Sequence, residues 1–136
     1  MRIYLDSNVF ISWFNEEIGA WHRSLFAESK GFFERIANSD CTLVLSEAFF
    51  EEVKHISYCS KDGVVELLSK LGAKILCVDT PRVLKTSSFT TLGIHKGDAF
   101  HVALAMHFKC DCIVTFNLKD FLPAREWIKV CEPSEI

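Results

Sequence analysis

The chain has 136 residues, 49% hydrophobic and 24% charged, so it can bury a core without disulfide or metal staples and is too apolar to be disordered. Fifteen Lys and Arg against 18 Asp and Glu leave a net charge of −3, which gives no global pull toward nucleic acid, so any such contact must come from a local site. No apolar run approaches the roughly 18 residues of a membrane span, and MRIYLDSN lacks a signal-peptide stretch, so a cytoplasmic protein without membrane contact is expected.

RIYLD, 2–6, reads as a strand. Residues 20–38 place Trp21, Leu25, Phe32, Phe33 and Ile36 at helical spacing. CTLVL, 41–45, reads as a second strand, and 46–57 as a helix with Ser46 as its N-cap. Residues 61–71 repeat the helical pattern through Val64, Leu67, Leu68 and Leu71 until Gly72 ends it. KILCV, 74–78, is a third strand, and Pro81 suits the first turn of a helix. Ala99, Val102, Ala103 and Met106 give 96–109 one buried helical face. CIVTF, 112–116, and WIKVC, 127–131, complete the strands.

No repeat, low-complexity stretch or linker interrupts this rhythm, so 1–136 reads as a single domain. Strand and helix in alternation imply an α/β fold of three layers, α/β/α, around a mostly parallel sheet of about five strands. Cys41, Cys77, Cys112 and Cys131 fall in the apolar runs, and no C-x-x-C pair occurs among the six cysteines, so they read as free thiols. In such sheets ligands bind beyond the carboxyl ends of the strands, where strand order reverses.

Polar groups gather at those ends. Asp6, Ser7 and Asn8 follow the first strand, and Glu47, Glu51 and Glu52 follow the second. Glu47 and Glu51 share a helix face, while Glu52 is turned about 100° from Glu51. Asp98 opens the later helix, with His101 one turn along on the same side. Thr115, Asn117 and Asp120 leave the fourth strand. Each has a simpler explanation: Asp6 and Asp98 as helix caps, the glutamates as a solvated face, Asp79-Thr80-Pro81 as a turn. Converged in one cleft, however, these acids would repel and raise one another's pKa values. A hard dication such as Mg²⁺ or Mn²⁺ would stabilise them, and it can activate water and stabilise charge on a phosphoryl oxygen. That chemistry is phosphodiester hydrolysis.

Four segments in order, IYLDSNVFISW, LVLSEAFFEEV, GDAFHVALAM and IVTFNLKDF, resemble PIN-domain ribonucleases, and among them the VapC-type toxins of prokaryotic toxin–antitoxin pairs. The resemblance covers nearly the whole chain. It implies a Mg²⁺- or Mn²⁺-dependent endoribonuclease, with the toxin role as its finer form and an antitoxin as the corresponding partner. By position, Asp6 matches the first acid, Asp98 the acid of the D-A-x-H-x-A element, and Glu52 the acid of the second element, with Glu47 and Glu51 close by. These three are the implied metal ligands. Many relatives carry Asp where this chain has Asn117, and Asp120 stands three residues on to supply the charge. The resemblance also implies that Ser7 and Asn8 hold a water or a phosphate oxygen and that Thr115 orients its loop. Lys96, with Arg82, Lys85 and His95, would meet RNA phosphates.

Two other readings compete. Asn117 suits a PIN-fold interaction module that has lost catalysis. Asp79, Thr115 and Lys129 at strands three to five mimic a phosphoacceptor receiver domain, although a lone Asp6 stands where that module needs an acid pair. A haloacid-dehalogenase-like phosphatase would need Asp in place of Asn8. Finally, 12 Phe and three Trp are many for one small core. Adjacent rings on a helix point about 100° apart. A homodimer is therefore expected, with Trp13, Phe14, Phe49 or Phe50 at the interface or lining a partner groove.

Overall fold

Four of the five strands divide their side chains between two cores. In β1 (Arg2–Leu5) Ile3 and Leu5 face one side and Tyr4 the other. In β2 (Thr42–Ser46) Leu43 and Leu45 oppose Val44. In β4 (Cys112–Val114) Cys112 and Val114 oppose Ile113, and in β5 (Lys129–Cys131) Cys131 opposes Val130. The remaining strand, β3 (Lys74–Val78), forms one edge. Strands apolar on both faces belong in a parallel sheet covered on both sides, and the four pairings among these five strands are parallel. The structure, a computed structural model, describes residues 1–18, 23–86, 89 and 93–136.

The helices α1 (Ser7–Phe14), α2 (Leu25–Ala37), α3 (Glu47–Ser57) and α4 (Lys61–Lys70) cover one face, burying Phe10, Phe32, Phe33, Ile36, Phe49, Val53 and Leu68. Helix α5 (Lys96–His107) and the short α6 (Leu118–Phe121) cover the other through Ala99, Val102, Leu104 and Phe121. The architecture is three-layered α/β/α, with sheet order β3-β2-β1-β4-β5. The β3-to-β4 connection reverses the direction of strand addition, so a right-handed crossover sends α5 to the opposite face. The reversal falls between β1 and β4, which makes their carboxyl ends the switch point. Receiver sheets run 2-1-3-4-5, so this order removes the receiver reading.

Ser24, Ser46 and Ser60 each cap a helix by accepting from the backbone N–H three residues on, at 3.1 Å. Just past α4, Gly72 takes φ +90°, a left-handed conformation that favours glycine. The helix expected over 20–38 runs Leu25–Ala37, and Trp21 lies outside the described residues. Pro81 opens no helix, and residues 81–86 are irregular. Pro presets one φ but cannot offset helix nucleation without an apolar face behind it, and Val83 is exposed. The fourth strand stops at Val114, because Thr115 turns toward Asp6.

Of the four rings expected at an interface, two lie in the core instead. Phe49 and Phe50 are 1% and 8% exposed, both within the core. Helix α3 is flanked on two sides, so its apolar arc exceeds 100°. Phe49 meets Phe10 of α1 edge-on with ring centroids 6.0 Å apart, and Lys61 of α4 covers Phe50 with Nζ 5.1 Å from the ring centre. Trp13 is half-buried against Phe10 and Phe33, while Phe14 is 40% exposed. The six cysteines are free thiols. Among the described residues no helix is long and apolar enough to cross a membrane.

Candidate active site

Asp6 stands where β1 ends, and its backbone N–H still bonds to Val114 O of β4 at 3.0 Å. It holds the N-cap position of α1, yet its side chain makes no capping bond. Oδ2 instead accepts from Thr115 Oγ1 at 2.7 Å. Thr115 is fully buried, and its oxygen also accepts from Asn8 Nδ2 at 3.2 Å and from Asn117 N–H at 2.9 Å. Asn8 Oδ1 in turn accepts from Phe116 N–H at 3.2 Å. The loops leaving β1 and β4 are thus joined side chain to backbone across the switch point.

Ser7 Oγ lies 3.5 Å from Asp6 Oδ1 and donates to Glu52 Oε2, which brings Glu52 beside Asp6. The other two glutamates go elsewhere. Glu51 sits on a surface patch with Lys54, His55 and Tyr58, and Glu47 accepts from Thr80 N–H at 3.4 Å.

Asp98 lies in the first turn of α5, but the cap is His95, whose Nδ1 accepts from Gly97 N–H at 3.3 Å. Its carboxylate is therefore left to the cleft. Burial pushes the Asp6 carboxyl above the usual range; the Thr115 bond and His101 oppose the rise, and the Glu52 charge adds to it. Partial burial pushes Asp98 up as well, followed by the charges of Asp120 and Asp6.

These groups wall a cleft of about 430 Å³. Asp6, Ser7, Asn8, Ser12, Glu17, Glu52, Asp98, His101 and Asn117 form its polar part; Ile11, Leu25, Ile56 and Phe116 form the rest. Thr115 is buried and braces Asp6 rather than lining the cleft. Asp120 is exposed at the start of α6 and acts on Asp98 by charge alone. The expected cations Arg82, Lys85, His95 and Lys96 are all exposed, and none lines the cleft. Three residues here were not picked out as site residues from the sequence. His101 was visible on the Asp98 face of its helix, whereas Glu17 and Ser12 carry no local pattern that marks them.

Among the described residues, no three His, Cys, Asp or Glu side chains stand close enough together to hold a metal ion. The chemistry of the donor set still fits Mg²⁺ or Mn²⁺. The acids Asp6, Glu52 and Asp98 offer oxygen only, no cysteine is among the described residues that line the cleft, and crowding by like charge is what a hard dication relieves.

A search of curated proteins returned no match. The family model described as PIN domain matches residues 3–122, a span that begins in β1 and includes Asp6, Glu52, Asp98, Asn117 and Asp120. The chain belongs to the PIN-domain family, whose fold is nuclease-like.

Proposed function

We propose that residues 1–136 act as one domain, a metal-dependent endoribonuclease that hydrolyses phosphodiester bonds of single-stranded RNA in the cytoplasm. One observation carries this reading. Asp6 and Asp98 each begin a helix, neither caps it, and both face one cleft at the switch point together with Glu52.

Asp6, Glu52 and Asp98 are the residues that would hold Mg²⁺ or Mn²⁺. Such an ion, when bound, lowers the pKa of water and stabilises negative charge on a phosphoryl oxygen. Ser7 orients Glu52 through its hydroxyl, and Thr115 fixes Asp6. Asn8 commits Oδ1 and one Nδ2 proton to the β4 loop, which leaves its second Nδ2 proton for a phosphate oxygen. Asn117 offers a neutral amide at the rim, with Asp120 adding charge behind it. Lys96, Arg82, Lys85 and His95 would meet RNA phosphates outside the cleft, which predicts weaker binding at high salt.

The finer form of this reading is the toxin of a toxin–antitoxin pair, acting as a homodimer through the face that carries Trp13 and Phe14. Growth arrest on expression, relieved by Asp98→Asn, tests the toxin role. Light scattering with size exclusion tests the dimer. The nuclease itself is tested with single-stranded RNA and Mg²⁺ or Mn²⁺. Cleavage is expected to stop with EDTA and in Asp98→Asn, and undiminished cleavage in either case overturns the proposal. Asn117 favours one other reading, an interaction module without catalysis, which would bind RNA or protein and cleave nothing with either ion.

A further inference from the structure

Below the cleft, a buried tyrosine holds a histidine of α5. Tyr4 is 1% exposed, and its hydroxyl lies 2.6 Å from His101 Nδ1 and 3.2 Å from Ser46 Oγ. Burial drives its pKa far above the ordinary value, so the phenol keeps its proton. Ser46 Oγ already accepts from Phe49 N–H. If Tyr4 donated to Ser46, the Ser46 proton would have no acceptor among the described residues, and Ser46 is itself buried. The opposite order satisfies every group. Phe49 N–H donates to Ser46, Ser46 to Tyr4, and Tyr4 to His101 Nδ1. A neutral imidazole that accepts at Nδ1 carries its proton on Nε2, on the far side of the ring. The ring is also held between Tyr4 and Phe100, with centroids 5.7 and 5.8 Å away.

A phosphate entering this cleft meets carboxylates, and no Lys or Arg is among the described residues that line it. Among the described residues, neutral donors are left to supply its hydrogen bonds, and His101 provides the one ring N–H there. We propose that His101 donates from Nε2–H to an oxygen of the scissile phosphate, and that Tyr4 is the positioning residue that fixes its tautomer and orientation. The proposal rests on the nuclease reading above.

Two measurements separate its failure from the failure of that reading. Nitrogen-15 spectra of the histidine-labelled protein report the tautomer without any activity. His101 is expected as Nε2–H in the wild type and as a mixture in Tyr4→Phe. Inorganic phosphate is expected to shift the His101 Nε2 signal even if no RNA is cleaved. With RNA, His101→Ala should lower kcat/KM by about 10²-fold, the usual cost of one lost donor to a developing oxyanion. His101→Gln, which keeps an N–H near the same place, should recover part of the loss. Tyr4→Phe should lower kcat with little change in KM, and add nothing when combined with His101→Ala. An Nδ1–H tautomer in the wild type, an unmoved Nε2 signal with phosphate, or additive losses would each overturn the assignment. Should Tyr4→Phe fail to fold, the wild-type tautomer and the Ala and Gln variants still decide it.

Discussion

The two acids of the cleft are held in opposite ways. Asp6 is 9% exposed, pinned by Thr115 and sewn between two strands. Asp98 is half-buried at the open start of α5, and among the described residues its carboxylate has no hydrogen-bonded partner. One carboxylate is preorganised at a desolvation cost, while the other is free to adjust. A site built this way places its ligand from the Asp6 side and closes it from the Asp98 side. This division also accounts for a donor set that suits a dication without three acids already enclosing one.

The largest expected effect treats the two acids alike. Asp6→Asn and Asp98→Asn should each lower RNA cleavage by about 10³-fold, because each removes several kcal/mol of charge stabilisation at the reacting phosphate. Single-turnover assays at saturating Mg²⁺ measure this. A wild-type rate in either variant breaks the comparison at its base.

Stability should separate the two regions. Thr115→Val keeps the shape of a buried side chain but strips Asp6, Asn8 and Asn117 of a shared partner. It should cost about 2 kcal/mol, or about 5–10 °C of melting temperature. No substitution at Asp98 should approach that loss, since among the described residues no hydrogen bond depends on its carboxylate.

The pH dependence has a definite sign. The folded pKa of Asp6 is raised, so the folded state binds its proton more tightly than the unfolded chain does. The associated stability is fully present below the unfolded pKa of about 3.9 and is lost as pH rises through the folded value. In metal-free buffer, Asp6→Asn should therefore melt above the wild type at neutral pH, with the gap closing as pH falls. Asp98→Asn should show the same sign with a smaller gap, because Asp98 is less buried. A gap that widens on acidification would reverse the assignment of burial as the dominant cause.

The sequence made the sheet legible because β1, β2 and β4 are short, apolar on both faces and bounded by polar turns. It made Asp6 and Asp98 legible because strand ends and helix starts can be located from pattern alone. What escaped it depends on neighbours distant in the chain. Phe49 and Phe50 look incompatible with one core until α1 and α4 close in on both sides of α3. Tyr4 reads as one more core residue of a strand, and nothing local reveals that its hydroxyl meets Ser46, 42 residues on, and His101, 97 residues on. Glu52 was separable from Glu51 by rotation, but its place beside Asp6 depends on the bond from Ser7. Pro81 misled because a favourable first-turn residue is no substitute for a face to bury.

The smallest expected effect probes the seam between the two regions. Asn117 lines the cleft from the β4 loop, where its N–H is tied to Thr115, while its side chain makes no capping bond to α6. Asn117→Asp adds a carboxylate near Asp6 and Asp98 without disturbing the backbone bond. Without metal, the added charge should destabilise the fold slightly through repulsion. With Mn²⁺, the same charge should become an additional oxygen donor and tighten binding. Asn117 is exposed, so solvent screens both effects, and each should stay under about 1 kcal/mol, or about fivefold in metal affinity. Melting curves with and without Mn²⁺ should therefore cross, the variant lying below the wild type in EDTA and above it at saturating ion. If the variant is lower under both conditions, Asn117 lies outside the coordination sphere, and the charge that completes the site comes from Asp120.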